Sequence, residues 1–341
     1  MTTRASALTT VKAMRKAKDR IFIAYPDSML SRAIARQIAS HMHEYAEVLQ
    51  CDQTLDLCCP VSTRDFLRRE QPTQVYLPLA AHARDMSTTN LPSNRLHQDL
   101  MTGANLVEQS LQAGVKQLLL VGTGCAYPSD TPSPLAEEDL LSGRPASDCE
   151  TEAIATIALI KLCESYNQDF GSTHGISYRC MLSATPFGPG SPGTTHEQRV
   201  IATMIELLHK AKEENAEEVL LPYAPEGRQE FLHADDIAAA ALYVMNVDSH
   251  RYASVTAPSR SFLNAGYGPD VGYRALAHTV AGIVGYHGRI GFDNAQTAHA
   301  RSHRLDSHRL QSIGWRPQLD MEDALALTYF DYKAQRQTLP A

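Results

Sequence analysis

The chain of 341 residues has one tryptophan, 7% aromatic residues and no CxxC pair among its seven cysteines. It also has no apolar run approaching the roughly 18 residues that cross a bilayer. These absences exclude a membrane-spanning segment, a dithiol redox motif and a short disulfide framework. Only Cys58 and Cys59 are adjacent, so free thiols in a reducing, cytoplasmic setting are expected. Basic charge is not in excess: 31 Lys and Arg stand against 38 Asp and Glu, a formal charge of −7. Nucleic acid and membrane are therefore not expected partners. The most telling absence is local. The stretch "DRIFIAYPDSMLSRAIARQIA", Asp19 to Ala39, reads as a buried strand running into a helix, where many α/β proteins bind a dinucleotide. Such a turn uses three glycines, for the bend, for close approach of N–H groups to phosphate, and for helix–strand packing. Here it reads Tyr25-Pro26-Asp27-Ser28-Met29-Leu30-Ser31, and the first hundred residues contain no GxxGxxG.

Short apolar runs do alternate with helical patterns: "RIFIAY", then Leu30 to Met42; "AEVLQC", then a helix near Ser62 to Arg69; "QVYLPLA", then Leu96 to Ala113; "QLLLVGTG", then Glu150 to Tyr166; and "ISYRCML". Continuous runs of this kind suit strands covered on both faces, and the alternation predicts an α/β fold with a Rossmann-like, doubly wound parallel sheet. Gly and Pro concentrate around Gly188 to Gly193, followed by a helix, Val200 to Glu214. The expected organisation is a basic extension over 1–18, a Rossmann-like domain over 19–184, and a smaller substrate-type lobe over 185–341. A segment near 229–246 returns to the first domain. The extension, "MTTRASALTTVKAMRKAK", lacks acids. It reads as a flexible tail, with an organellar targeting segment as the alternative.

Several segments in order carry a resemblance: "QVYLPLAAH", "GTGCAYP", "AIATIALIKLCESYNQDFG", "FGPGSP", "EFLHADDIAAA", "LNAGYG", "VGYHGRIGFD" and "LDSHRLQSIGW". Together they are similar to GDP-L-fucose synthase, an extended short-chain dehydrogenase/reductase (SDR), from about Arg20 to Tyr329. The resemblance implies NADPH, a Tyr/Lys/Ser set for hydride transfer, and a Cys/His pair for epimerisation. Most of those positions disagree. The glycine turn falls on Tyr25, Ser28 and Ser31, so no cofactor-binding residue is assigned and no cofactor is expected. The arginines for a 2′-phosphate fall at about Gln50 and Asp52, and an aspartate repels a phosphate.

The Tyr position is Glu152 and the Lys position Thr156, and no tyrosine in the catalytic region is followed by lysine at the fourth place. A carboxylate has usually lost its proton at neutral pH, and threonine carries no charge. Lys161 lies roughly 140° around a helix from Thr156 and cannot take over. Thr123 keeps a hydroxyl at the serine position, and Cys125 keeps the epimerase cysteine. The partner histidine falls on Arg199, with His196 one turn earlier. In the sugar-nucleotide region the resemblance places Gln229 at an arginine position, with Arg228 displaced by one, and Pro222 near a tryptophan position.

Glu152, Thr123 and Cys125 are then the candidate catalytic residues, able to move protons in a non-redox reaction. The plain structural alternatives are that Glu152 is a solvated residue at a helix N-terminus and that Cys125 is a small buried hydrophobe. Activation of Cys125 would need a cation such as Arg199 or His196. No metal is expected: His299, His303 and His308 read as part of a basic, anion-contacting strip with Arg301, Arg304 and Arg309. His233-Ala234-Asp235-Asp236 reads as structural.

Two functions follow. One is a pseudoenzyme acting as a partner or regulatory subunit, a homodimer or a heterodimer with a related SDR subunit through the helices Leu96 to Ala113 and Glu150 to Tyr166. The other is a repurposed non-redox enzyme, an epimerase, lyase or cyclase, using the same cleft for a small-molecule or nucleotide-sugar ligand.

Overall fold

The alternating apolar runs form a six-stranded, wholly parallel sheet in the order β2-β1-β3-β4-β5-β10. Its members are β1 (Asp19–Ile23), β2 (Ala46–Val48), β3 (Gln74–Pro78), β4 (Gln117–Thr123), β5 (Ser177–Ser183) and β10 (Phe262–Ala265). This computed structural model describes residues 18–50, 55–79, 91–147, 149–190, 199–293 and 304–338, so most of the basic extension lies outside it. Five of the strands sit on the apolar runs that predict them. The sixth, β10, is four residues long and contains Asn264, which hides it from any hydrophobic pattern. The asparagine is fully buried because all its polar groups are used. Its side chain accepts from Tyr127 Oη at 2.8 Å and donates to Leu135 O at 3.0 Å, while its N–H donates to Glu137 at 3.0 Å.

Helices cover both faces, as the two-sided burial of the strands requires. On one face α1 (Met29–Met42) and α6 (Ala234–Asn246) pack with Ile21, Ile23 and Leu119. On the other, α2 (Pro60–Glu70), α3 (Pro92–Gln112) and α4 (Glu150–His174) pack over Phe22, Val75 and Leu120. Helix α4 runs eight residues beyond the predicted Tyr166 and stops where Gly175 takes a left-handed conformation at φ 64°. In its C-terminal turns, "NQDFGSTH", Phe170 alone packs on the core, too weak a pattern to have extended the expectation.

A third apolar cluster builds the rest of the chain. It joins α5 (Val200–Glu213), α7 (Tyr273–Val284) and α8 (Met321–Thr338) with Phe187 and Phe231. Three two-stranded ladders complete it: β6 (Thr185–Phe187) with β9 (Phe231–His233), β7 (Glu218–Leu221) with β12 (Arg289–Phe292), and β8 (Arg228–Gln229) with β11 (Val271–Gly272). Helix α6 packs on α1 and the central sheet. A buried arginine locks it there: Arg179 on β5 donates to the carbonyls of Val244 (2.6 Å) and Val247 (2.8 Å), placing a cation at the α6 C-terminus, where the dipole favours it.

The approach of α4 to the sheet depends on a missing side chain. A Cβ on Gly122 of β4 would lie 2.5 Å from the Thr156 methyl and 3.0 Å from Leu182. Both neighbours are buried and cannot yield cheaply. Gly122→Ala should therefore cost about 1–3 kcal/mol by overpacking. Adding Thr156→Ala should recover part of that loss, a coupling that urea denaturation of the four-member cycle would measure.

Candidate functional site at the carboxyl ends of the strands

From β1 the chain turns one way to β2 and the other way to β3, so the crevice where open α/β sheets bind ligands lies beyond the ends of β1 and β3. The turn after β1 occupies that crevice. Ala24 N–H donates to Tyr76 O on β3 at 2.9 Å, and Ser28 N–H donates to Tyr25 O at 2.9 Å, closing a turn around Pro26 and Asp27. Tyr25 holds φ 54°, the left-handed conformation that a glycine adopts without cost. Its ring is half-buried against the cluster of Phe22, Leu77 and Leu135.

The serines of this turn are buried and bonded to one another. Ser28 Oγ caps α1 by accepting the Ser31 N–H at 3.1 Å and donates to Ser31 Oγ at 2.7 Å. Ser31 Oγ donates to Ala24 O at 2.7 Å. Hydroxyls thus fill the turn, and two of its N–H groups, those of Ser28 and Ser31, are spent internally.

Next to it, at the end of β4, three predicted residues come together. Thr123 Oγ1 donates to Glu152 Oε1 at 2.9 Å and lies 2.8 Å from Cys125 Sγ. Glu152 stands in the first turn of α4, but it is only 7% exposed, so the solvated-terminus alternative does not describe it. Arg95 Nη2 is 3.8 Å from its other oxygen. Thr156, one turn further along α4, is buried against Gly122, and its hydroxyl has no hydrogen-bond partner among the described residues. Lys161 is turned to Glu164 (2.8 Å) and Ser259 O (2.9 Å).

Cys125 is not activated. The neighbouring Cys149 side chain, burial and the nearby Glu152 charge all push its thiol well above the ordinary cysteine value, leaving it protonated at neutral pH. The expected cation is not beside it among the described residues. Arg199 sits at the start of α5 near the Tyr223 phenol, and His196 lies outside the described residues.

Other predicted contacts are structural. Arg309 is committed to Glu137 at 3.4 Å and to Glu138, which corrects its place in a ligand-facing strip. His299, Arg301, His303 and Asp52 lie outside the described residues, and Gln50 is exposed. Gln229 is buried between Thr185 and Tyr273, while Arg228 pairs with Asp270 at 2.9 Å. His233 caps α6 by accepting the Asp235 N–H at 3.2 Å, and Asp236 accepts from Gln318 and Leu319. Sequence reasoning missed Arg95 and Cys149. Neither belongs to a recognisable spacing, and only the packing of α3 and α4 on β4 brings them in.

With this geometry in place, the class is clear. Residues 29–253 match the NAD dependent epimerase/dehydratase family, and the chain belongs to that family, with the extended SDR architecture. Within it the chain is similar to GDP-L-fucose synthase of Escherichia coli strain K12, 34% identical over 312 residues covering 92% of this chain and 96% of that protein. It is 31% identical to the GDP-L-fucose synthase of Sinorhizobium fredii, covering 91% and 94% of the two chains. The fold also matches a GDP-mannoheptose C4 reductase from Campylobacter jejuni with NADP bound (TM-score 0.80, 23% identity, 94% of this chain and 99% of that one). A GDP-L-fucose synthetase from Naegleria fowleri bound to NADP superposes with TM-score 0.81 at 15% identity, covering 95% and 97%.

One buried carboxylate, packed against Gly266 just past the end of β10, went unread in the sequence. Glu230 accepts the N–H groups of Gly268 (2.7 Å) and Leu305 (2.8 Å) and so ties two loops together. Burial outweighs these donors and pushes it up to about 7. The folded state then binds more protons than the unfolded state, so Glu230 makes stability fall as pH rises from its ordinary value near 4.5 to about 7. Glu230→Gln should flatten that part of the profile, as measured by thermal unfolding at half-unit pH steps, while lowering stability at its acid end.

Proposed function

We propose that this protein keeps the scaffold of a GDP-sugar-modifying SDR but performs no hydride transfer. It serves instead as a partner or regulatory subunit in nucleotide-sugar metabolism, paired with itself or with a related subunit. The observation that carries this reading is the group standing where the resemblance places the catalytic phenol. Glu152 is a buried carboxylate committed to Thr123 and facing Arg95, and Thr156, in place of the ammonium, is packed on Gly122. Among the described residues these two positions offer no pair that could lower a phenol pKa and hold a nicotinamide ribose.

The residues of the first turn do not fit a nicotinamide dinucleotide either. A tyrosine occupies the bend, and two buried serine side chains fill the space over which backbone N–H groups would meet a pyrophosphate. In support of a subunit role, α3 and α4 pack side by side, and Ile154 on α4 is 44% exposed.

A second reading rests on the contact among Thr123, Cys125 and Glu152. A carboxylate linked through a hydroxyl to a protonated thiol can relay a proton to and from a substrate carbon without any redox step. Repurposed epimerase, lyase or cyclase chemistry would use that relay.

Titration of the protein with NADPH, NADH, GDP and GDP-sugars separates these outcomes by thermal unfolding. A ligand at a hundred times its Kd stabilises by about 2.7 kcal/mol, which a melting curve resolves. No shift is expected with either dinucleotide, and a clear rise with NADPH would overturn the proposal. Stabilisation by a GDP-sugar alone, with turnover abolished in a folded Glu152→Gln variant, would move the assignment to the second reading.

A further inference from the structure

Two thiols meet beside this site, and no role assigned above uses them as a pair. Cys149 is the N-cap residue of α4, with no side-chain capping bond, and it is buried. Cys125 lies on the one-turn 3-10 helix Gly124–Ala126 and is partly exposed. That turn packs against α4, and Cys149 Sγ lies 3.5 Å from the Cys125 carbonyl oxygen. Cys149 also helps to raise the pKa of the Cys125 thiol, as a neighbouring side chain does. We propose that Cys125 and Cys149 form a peroxide-sensitive thiol pair, in which the accessible Cys125 is oxidised first and Cys149 resolves it to a disulfide.

The chemistry balances with hydrogen peroxide as the oxidant. Cys125 sulfur attacks one peroxide oxygen and the O–O bond breaks. The thiol proton leaves with the departing hydroxide as water, and a sulfenic acid remains. Cys149 sulfur then attacks the sulfenic sulfur; the S–S bond forms as the S–O bond breaks, and the hydroxyl departs with the Cys149 proton as a second water. Two thiols and one peroxide become one disulfide and two waters. Thr123 lies 2.8 Å from Cys125 Sγ and donates to Glu152 at 2.9 Å, so a hydroxyl and a carboxylate stand in line to take the thiol proton as the thiolate forms and to return it to the departing hydroxide.

The same chain supplies an internal contrast. Cys163 on α4 and Cys180 on β5 are also neighbours, but both are about 1% exposed inside the sheet–helix core. Peroxide reaches the first pair and not the second, so exposure selects between them. The high pKa of Cys125 makes the reaction slow, on the scale of millimolar peroxide rather than a dedicated peroxidase. Once formed, the bridge would draw Cys125 Sγ toward Cys149 and away from Thr123. The proposal does not depend on the function assigned above, because it concerns only two side chains and their access to solvent.

The test uses the full chain treated with millimolar hydrogen peroxide, blocked with N-ethylmaleimide, unfolded and mapped by mass spectrometry. The expected result is a linked pair of peptides containing Cys125 and Cys149, two mass units lighter than the separate thiols and restored by dithiothreitol, with Cys163 and Cys180 recovered as thiols. In Cys149→Ser the expected product is a dimedone adduct at Cys125 with no cross-link. Recovery of both Cys125 and Cys149 as alkylated thiols would overturn the proposal. So would over-oxidation of Cys125 with Cys149 left free, or a link from either residue to Cys58 or Cys59. The wild-type measurement decides the matter even if Cys149→Ser fails to fold.

Discussion

The close seating of α4 on β4 and α3 is the constraint from which the rest of this molecule follows. Two glycines permit it: Gly122 leaves room for Thr156, and Gly103 leaves room for Leu159, whose methyl would stand 2.3 Å from any Cβ placed there. With the helix drawn in this far, its first turn falls beside the end of β4. Glu152 then reaches the Thr123 hydroxyl, and Cys149 reaches the turn that holds Cys125. The polar cluster is thus a by-product of backbone proximity, and its members come from separate stretches of the chain, at Arg95, at Thr123 and Cys125, and at Cys149 and Glu152.

That cluster is nearly closed on itself. A buried carboxylate is costly unless its oxygens meet donors or cations, and Glu152 has one of each in Thr123 and Arg95. The same anion helps keep the neighbouring thiol protonated. Mutual satisfaction of this kind favours a stable resting arrangement, whereas Thr156, with a buried hydroxyl lacking a partner among the described residues, shows a position not tuned for polarity. An unpaired buried hydroxyl costs about 1–3 kcal/mol, so the site carries a penalty where the resemblance implies an ammonium.

The sheet was legible from the sequence because its strands are short, continuous apolar runs separated by helices, and those signals are local. The edge strand β10 was not, since its central asparagine is buried by a network reaching Tyr127, Leu135 and Glu137, more than a hundred residues away. The site shows the same division. Thr123, Cys125 and Glu152 could be named from motif positions, and the structure brings them together. Arg95, Cys149 and Glu230 could not be named, because each acquires its surroundings through tertiary packing. The basic strip near the C-terminus was misread at Arg309, whose charge is absorbed by Glu137 and Glu138. A run of like-charged residues in sequence does not reveal which of them have acidic neighbours in space.

Tyr25 preserves a record of shape. Its backbone sits where a residue without a side chain would be at ease, yet the surrounding strand, helix cap and ladder contacts are intact. The main chain at the head of α1 therefore follows the path a glycine takes most easily while carrying a tyrosine. A glycine there would ask nothing new of the backbone path, which makes the head of this helix the natural place to begin refitting the scaffold by design.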